Sequence, residues 1–182
     1  MIERRLAAIY SGVSSRGVGA DEAGVAVLEA EAVEILLPAK HSSHAGTITV
    51  RRATVDDIPS LRMVTHYGFA SNTSLSAVEE QELPEEMGDE QTWGAFEDGR
   101  AVAQLYAHDW TLGGGAAGCR IAAVSGVGTL PEFRRLGLLR TMMSILFNDM
   151  MEKGQHVACL QATQAAIYQR YGYSEAVRLK LP

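Results

Sequence analysis

The stretch from Val127 to Arg140 constrains the fold more than any other part of this chain. It reads Val-Gly-Thr-Leu-Pro-Glu-Phe-Arg-Arg-Leu-Gly-Leu-Leu-Arg, in which a strand ends, the chain turns at Pro131 and a helix begins just after two arginines. The apolar residues that follow recur at helical spacing and predict a helix over 136–153, with Gly154 just past its end. A strand that leads through a short turn into a long amphipathic helix indicates an α/β domain.

The start of this helix has the properties of an anion site. Its first N–H groups have no partner within the helix, and the positive end of the helix dipole lies beside them. Gly137 has no Cβ and lets the backbone approach a phosphate closely, while Arg134 and Arg135 add charge in a geometry that matches phosphate oxygens. These features favour a pyrophosphate-binding loop. An ordinary strand-to-helix turn with a solvated arginine pair is the alternative that the residues leave open.

Two nucleotide-binding motifs do not fit this stretch. A P-loop would place Gly-Lys-Ser or Gly-Lys-Thr at the helix start, and this helix start has neither. A dinucleotide-binding Gly-x-Gly-x-x-Gly would begin at Gly126, but Pro131 stands where its third glycine belongs.

Charge and composition exclude further classes of protein. The formal net charge of −6 argues against a protein that binds nucleic acid by neutralising phosphates. No run approaches the ~18 consecutive apolar residues of a membrane span. Cys119 and Cys159 have neither the spacing of a zinc site nor that of a disulfide framework. We therefore expect a cytoplasmic protein with no metal, no nucleic-acid partner and no membrane partner.

The remaining pattern predicts one mixed α/β domain over 47–182. The expected order is strand, helices, three antiparallel strands, helix, strand, helix and strand, with strands over 47–52, 92–97, 101–110, 119–129, 157–160 and 173–181. Asp98-Gly99 is a strong hairpin signal between the second and third strands. Residues 1–46 carry repeated glycine and serine loop signals and are interpreted as an N-terminal extension or linker.

The first helix of this domain has two candidate starts. Asp56 as N-cap places Pro59 within the first turn, where the missing N–H of proline costs nothing. A capping box of Thr54 and Asp57 is the alternative, but it places Pro59 deeper in the helix. The position of the proline favours Asp56.

In this context the run Arg134-x-x-Gly137-x-Leu139 resembles the acyl-CoA-binding motif of the GNAT superfamily of N-acetyltransferases, Arg/Gln-x-x-Gly-x-Gly/Ala, with leucine at the sixth position. More narrowly, GVGTLPEFRRLGLLRTMM followed by LQATQAAIYQRYGY is similar to the N-terminal acetyltransferase domain of Eis-type (enhanced intracellular survival) enzymes. The resemblance covers roughly 47–173. It implies a mixed sheet with splayed central strands and flanking helices, and acetyl-CoA as co-substrate without a metal.

The resemblance also assigns a binding role to individual residues. The backbone of three strand residues would pair with the pantetheine arm: Val127, Gly128 and Thr129. The residues around the pyrophosphate would be Arg134, Arg135, Leu136, Gly137, Leu138, Leu139 and Arg140. Thr163 and Gln164 would lie near the CoA thiol, although the family commonly has Ser-Glu there.

Tyr168 matches the family tyrosine that protonates the departing thiolate. A phenol with a pKa of about 10 suits that step, because it keeps its proton at neutral pH and can donate it to a thiolate formed beside it. Packing in the core or at its rim is the alternative for every tyrosine of this stretch. We favour packing for Tyr171 and Tyr173, and chemistry for Tyr168.

The acceptor side is less clearly marked. The acidic run from Glu79 to Glu90 is either a wall that attracts a cationic acceptor or a solvated helix face. Trp93, Phe96 and Trp110 are candidates for the acceptor pocket, although aromatic residues on strands are usually core. Neither His108 nor Asp109 has a strong claim to be the general base.

The chain departs from the Eis-type pattern at its end. It stops after the sixth expected strand. The final strand is then missing, and so is the distant terminal carboxylate that serves those enzymes as base. An open sheet edge would face a second copy or a missing C-terminal domain. The function that the resemblance implies is transfer of an acetyl group from acetyl-CoA to a primary amine, such as an aminosugar, a polyamine or a lysine-like acceptor. A non-catalytic acyl-CoA-binding or interaction module, as a fragment of a longer enzyme, is the alternative.

Overall fold

The computed structural model describes residues 3–7, 32–36, 47–69, 92–113 and 118–180. Within these ranges eight strands form one sheet: β1 Glu3–Ala7, β2 Ala32–Leu36, β3 Thr47–Arg52, β4 Thr92–Glu97, β5 Arg100–Leu112, β6 Cys119–Thr129, β7 Val157–Ala162 and β8 Glu175–Lys180. The α-helices of these ranges are α1 Ile58–Gly68, α2 Leu138–Glu152 and α3 Ala166–Gln169. The acidic run from Glu79 to Glu90 lies outside the described residues.

The sheet is mixed, as the sequence predicts. Its strand order is β2-β3-β4-β5-β6-β7-β1-β8. β6 and β7 are parallel, and the other neighbouring pairs are antiparallel. β4 and β5 meet at the predicted hairpin, where Asp98 has φ 48° and Gly99 has φ 78°, as a two-residue type I′ turn requires. The α/β fold class is therefore confirmed.

Two pieces of the segment 1–46 are strands of this sheet, so the interpretation of the segment as extension or linker is wrong for them. β2 pairs with the edge of β3, and β1 lies between β7 and β8, antiparallel to both. The N-terminal end of the chain thus supplies the strand that pairs with β7 on the side away from β6. The sequence did not indicate these strands because strand formation depends more on neighbouring backbone than on a residue's own preference. The domain boundary at residue 46 stays a prediction.

The start of α1 corrects the preference for Asp56 as N-cap. Asp57 Oδ2 accepts hydrogen bonds from the Thr54 N–H at 2.7 Å and from the Thr54 hydroxyl at 2.8 Å, which is the interaction of the rival capping box. A short 3₁₀ turn over Val55–Asp57 separates this cap from α1. Because α1 itself begins at Ile58, Pro59 still falls in its first turn and no backbone hydrogen bond is lost.

α1 and α2 cover opposite faces of the sheet. Gly94 lies under α1, since a Cβ there would come within 3.4 Å of Leu61 Cδ2. On the other face, the Arg52 guanidinium lies 4.4 Å from the centre of the Trp93 ring and pairs with Asp149 of α2. Apolar side chains from both helices and the central strands fill the two layers. None of the described helices is both long enough and apolar enough to cross a bilayer.

α2 ends one residue before the predicted end and begins two residues later than predicted. At its end the Gly154 N–H donates to the Met151 carbonyl at 3.1 Å and the Gln155 N–H to the Met150 carbonyl at 2.8 Å, with Gly154 at φ 69°. This is the Schellman arrangement that a glycine after a helix favours. At its start Gly137 is the N-cap, in the left-handed region at φ 82°, and the helix cannot extend back through it.

Candidate functional site

The two parallel strands at the centre of the sheet separate partway along their length. Their register runs from Ile121 opposite Val157 to Val124 opposite Leu160. Beyond that point β6 continues to Thr129 and β7 to Ala162, and the space that opens between them belongs to a cleft of about 1480 Å³. The predicted splayed central strands are present, and the space between them is part of this cleft.

A β-bulge shapes one wall of this cleft. Gln104 of β5 faces Gly128 and Tyr106 faces Ser125, so β6 has one extra residue in this interval. Gly126, at φ 57°, lets the chain make this bend, and a Cβ there would lie 1.9 Å from the Tyr106 ring. On its other side β6 has no pairing with β7 after Val124, so the backbone groups on that edge are available to a ligand in the cleft.

Gln104 holds the bulge from behind. Its side chain is fully buried, and its Nε2 donates to the Gly126 carbonyl at 3.2 Å and to the Thr65 hydroxyl of α1. α1 packs closely here, because a Cβ on Gly128 would lie 3.1 Å from Val64 Cγ1. The bulge is therefore fixed by the helix and the neighbouring strand rather than by the ligand.

The start of α2 forms the floor of the cleft at the end of β6. Within the described part of the chain no side chain caps this helix end, so its first amides are available to an anion. Arg135 lies at φ 66°, a left-handed conformation that costs a non-glycine residue about 1–2 kcal/mol. Such strain is typical of ligand-binding loops. Arg134 lies beside it and donates to the Thr129 carbonyl at 3.3 Å through Nε.

The structure brings almost all of the predicted binding residues into this one cleft. The lining includes Val127, Gly128, Thr129, Arg134, Arg135, Gly137, Leu138, Leu139, Arg140, Thr163, Gln164 and Tyr168. Leu136 is not in this lining, and it packs half-buried against the core. Its place around the pyrophosphate stays a prediction.

The three C-terminal tyrosines occupy different environments. Tyr168 lines the cleft half-buried, and burial raises the pKa of its phenol, with a smaller contribution from Tyr171. Tyr171 also lines the cleft, where burial raises its pKa against the opposing effect of Arg170 and Arg140. Tyr173 is buried in the core, edge-on to Tyr168 at 6.1 Å between ring centres, so packing is confirmed for this residue.

The far end of the cleft, at the start of β6, is lined by His108 and Trp110 of β5. Trp93 and Phe96 do not reach it, because both are buried in the core with an arginine stacked on each ring. Asp109 points to the opposite face of β5 and cannot act as base there. It pairs with Arg120, which lowers the pKa of its carboxyl, and accepts from Gln155 Nε2 at 2.9 Å.

Several cleft residues were not predicted. Gly126 had a sequence signal, since a glycine inside a strand pattern indicates a bulge. Cys159 and Arg170 had none, because their position depends on where β7 and α3 sit in the tertiary structure. Burial raises the pKa of the Cys159 thiol, so this cysteine is protonated at neutral pH. Among the described residues no group of three or more acidic, histidine or cysteine side chains is placed to hold a metal.

These residues fit a CoA thioester. A diphosphate matches the uncapped helix start and its arginines, and an amide-bearing pantetheine arm matches the free edge of β6 after the bulge.

Comparison with known proteins supports the same assignment. Residues 49–176 match the family model described as acetyltransferase (GNAT) domain. An uncharacterized N-acetyltransferase from Streptomyces griseus is 44% identical over 87 residues, which is 47% of this chain and 21% of the relative. The N-acetyltransferase Eis of Mycobacterium tuberculosis is 41% identical over 58 residues, 32% of this chain and 14% of Eis. The chain therefore spans only a small part of the curated relatives that it matches.

Solved structures show the fold. Eis1 from Mycobacterium abscessus superposes with a TM-score of 0.56 at 24% identity, covering 69% of this chain and 30% of Eis1. A predicted acetyltransferase with acetyl-CoA from Clostridium acetobutylicum gives a TM-score of 0.61 at 19% identity, covering 74% of this chain and 96% of the other. With the family match over most of the sheet and both main helices, these findings show that the chain belongs to the GNAT acetyltransferase domain family.

Proposed function

We propose that this domain transfers an acetyl group from acetyl-CoA to a primary amine, with Tyr168 as general acid. The observation that carries the proposal is the cleft itself, which is lined both by an uncapped helix start with arginines at the end of β6 and by the partly buried phenol of Tyr168. A diphosphate and a thioester at the two ends of one molecule are the ligand groups that this pairing suits.

Binding would use three features of the chain. The amides at the start of α2, together with Arg135 and Arg140, hold the diphosphate. The β6 backbone after the bulge pairs with the amides of the pantetheine arm. Thr163 and Gln164, both exposed in the cleft after β7, contact the thiol end.

Acetyl-CoA supplies a thioester carbonyl that a neutral amine can attack. The thiolate that leaves needs a proton, and Tyr168 can give one because burial raises the pKa of its phenol and keeps it protonated at neutral pH. The described lining residues include no carboxylate that would deprotonate the amine. We therefore expect the neutral fraction of the amine to set the rate, so activity rises with pH until that amine is deprotonated.

Replacement of Tyr168 by phenylalanine tests the role of the phenol. General acids contribute about 10²–10⁴-fold, so kcat in a CoA-release assay is expected to fall at least about a hundredfold while the acetyl-CoA Kd from calorimetry stays within about twofold. Tyr173→Phe is the matched control. Among the described residues its hydroxyl is buried without a hydrogen-bond partner, so its removal leaves both values near wild type. Equal activity of Y168F and wild type would remove Tyr168 from the mechanism.

The rival function is a non-catalytic acyl-CoA-binding module, which the short span of the chain relative to its relatives keeps open. Calorimetric binding of acetyl-CoA without CoA release on any primary amine would support the module and refute the enzyme. The cytoplasmic location, and assembly with a second copy or a C-terminal domain, stay predictions from the sequence.

A further inference from the structure

An aromatic strip lies at the far end of the cleft from the arginines. We use this name for Tyr106, His108 and Trp110, which alternate along β5 and so share one face of the sheet. The ring centres of Tyr106 and His108 are 5.2 Å apart with the rings edge-on, and those of His108 and Trp110 are 6.0 Å apart with the rings stacked at 16°. His108 and Trp110 line the cleft, Tyr106 packs edge-on against His108, and the row ends at the Trp110 ring.

The outer end of this strip is open to solvent. Trp110 is 56% exposed, and Phe69, which follows α1 and lines the same cleft, is 57% exposed. Large aromatic side chains in a concave site of a soluble domain mark a binding surface more often than a packing surface. The strip therefore has apolar area available for a ligand.

The strip lies on the acceptor side of the cleft. His108 is opposite Ala123 and Ala103 is opposite Thr129, so the six-residue interval along β6 separates the strip from the arginine end by about 20 Å. Acetyl-CoA would occupy the arginine end and the bulge, which leaves the strip to the second substrate.

The described lining offers no negative charge to a polycation at this position. The cationic side chains of the lining are Arg134, Arg135, Arg140 and Arg170, and the described lining contains no aspartate or glutamate. The arginines lie at the end that the diphosphate would occupy, and the described lining offers no carboxylate to the additional ammonium groups of a polycation. Exposed aromatic surface without a carboxylate in the described lining suits an acceptor that has one amine and an aromatic body.

We infer that the acceptor is an arylalkylamine, whose ring stacks on Trp110 while its single amine reaches the thioester. This inference rests on the proposed acetyltransferase function and narrows its substrate class. Polyamines and aminosugars, which the resemblance also allows, lack the aromatic ring that the strip can recognise. The acidic run Glu79–Glu90 lies outside the described residues. A polyamine is included in the test to measure whether attraction by these carboxylates favours a polycation more than the strip favours an aromatic amine.

The test compares kcat/KM for four amines with saturating acetyl-CoA: 2-phenylethylamine, 2-cyclohexylethylamine, spermidine and kanamycin. Phenylethylamine and cyclohexylethylamine have similar size and charge and differ in the flat ring. We expect phenylethylamine to exceed cyclohexylethylamine by about five- to tenfold, since stacking contributes beyond buried area, and to exceed spermidine and kanamycin by more. A preference for spermidine or kanamycin would overturn the inference.

Variants separate recognition from folding. Trp110→Ala is expected to raise KM for phenylethylamine about tenfold and to leave KM for acetyl-CoA and the melting temperature near wild type. Trp110→Phe, which keeps a ring, should restore most of the preference. Tyr67→Ala is the matched control, because Tyr67 is also an exposed aromatic residue but lies outside the cleft lining. A W110A variant that melts several degrees lower with an unchanged amine preference would show a packing role and refute the inference.

The same assays distinguish failure of the aromatic acceptor from failure of the proposed acetyltransferase function. If the domain only binds acetyl-CoA, no amine releases CoA and calorimetry still shows binding. If it is an acetyltransferase with another acceptor, CoA release occurs with an order of preference that Trp110→Ala does not change. The second result refutes the aromatic acceptor alone.

Discussion

The β-bulge in β6 allows a prediction of how much stability is lost when glycine is replaced by alanine at each of two positions. Gly126 and Gly137 both have positive φ, 57° and 82°, so alanine is strained at either position. They differ in the space around them. A Cβ on Gly126 would lie 1.9 Å from the Tyr106 ring, whereas a Cβ on Gly137 meets no atom within 4 Å. Alanine at both positions therefore separates backbone strain from steric overlap.

The magnitude follows from these two terms. The left-handed conformation costs alanine about 1–2 kcal/mol, and the smaller conformational entropy of the unfolded chain with alanine offsets part of this loss. We expect Gly137→Ala to lower the free energy of unfolding by about 1 kcal/mol. Gly126→Ala must also displace the Tyr106 ring, and overpacking of this kind costs about 1–3 kcal/mol more. The expected total for Gly126→Ala is about 2–4 kcal/mol.

Urea denaturation measures both losses, and a double-mutant cycle identifies their cause. In a Tyr106→Ala background the overlap is absent, so Gly126→Ala should cost only about as much as Gly137→Ala, and the coupling energy should be about 1–3 kcal/mol. Equal losses for the two single glycine variants, or a coupling energy below about 0.5 kcal/mol, would refute the assignment of a tightly packed bulge.

Two further predictions concern the ion pair at α1 and the support of the bulge. Arg51 contacts both oxygens of Asp57, at 2.7 and 2.8 Å, and with the Thr54 hydrogen bonds holds the Asp57 pKa at about 2. This folded-state pKa lies below the unfolded value of about 3.9. The stabilisation from the Asp57 carboxylate is therefore present above pH 4 and is lost as the pH falls toward 2. Urea titrations of Asp57→Asn should show a smaller fall in the free energy of unfolding across that pH window than those of wild type. Gln104→Leu removes the donor to the buried Gly126 carbonyl. The free energy of unfolding should fall by about 1–3 kcal/mol, and calorimetry should show weaker binding of acetyl-CoA. A Gln104→Leu variant that is as stable as wild type and binds acetyl-CoA as tightly would contradict the role of Gln104 in holding the bulge.

The local part of the site was predictable because its signals lie within a few residues of one another. The turn at Pro131, the glycine at the start of α2 and the apolar spacing along that helix are all read from neighbouring residues. The predicted strand at 119–129 matches β6 residue for residue. The same locality explains the error at α1, where two capping patterns overlap and only the 3₁₀ turn at Val55–Asp57 decides between them.

The aromatic residues show where local signals fail. Phe96 and Trp110 both lie on strands next to polar neighbours, and their sequence contexts give no reason to place one in the core and the other in the cleft. The structure buries Phe96 beneath Arg51, and leaves Trp110 more than half exposed at the far end of β5. Elements distant in the chain decide which face of the sheet a strand residue lies on and what covers that face.

The sequence by itself determined the α/β class, the helix start that suits a diphosphate, and the tyrosine that follows the next strand. Each depends on residue type and short-range spacing, which are fixed before the chain folds. Only the tertiary structure decided where β6 and β7 separate, that Leu136 turns inward while Arg135 faces the cleft, and that β1 lies beside β7. These features arise from contacts between segments far apart in the chain, and such contacts leave no periodic trace in either segment alone.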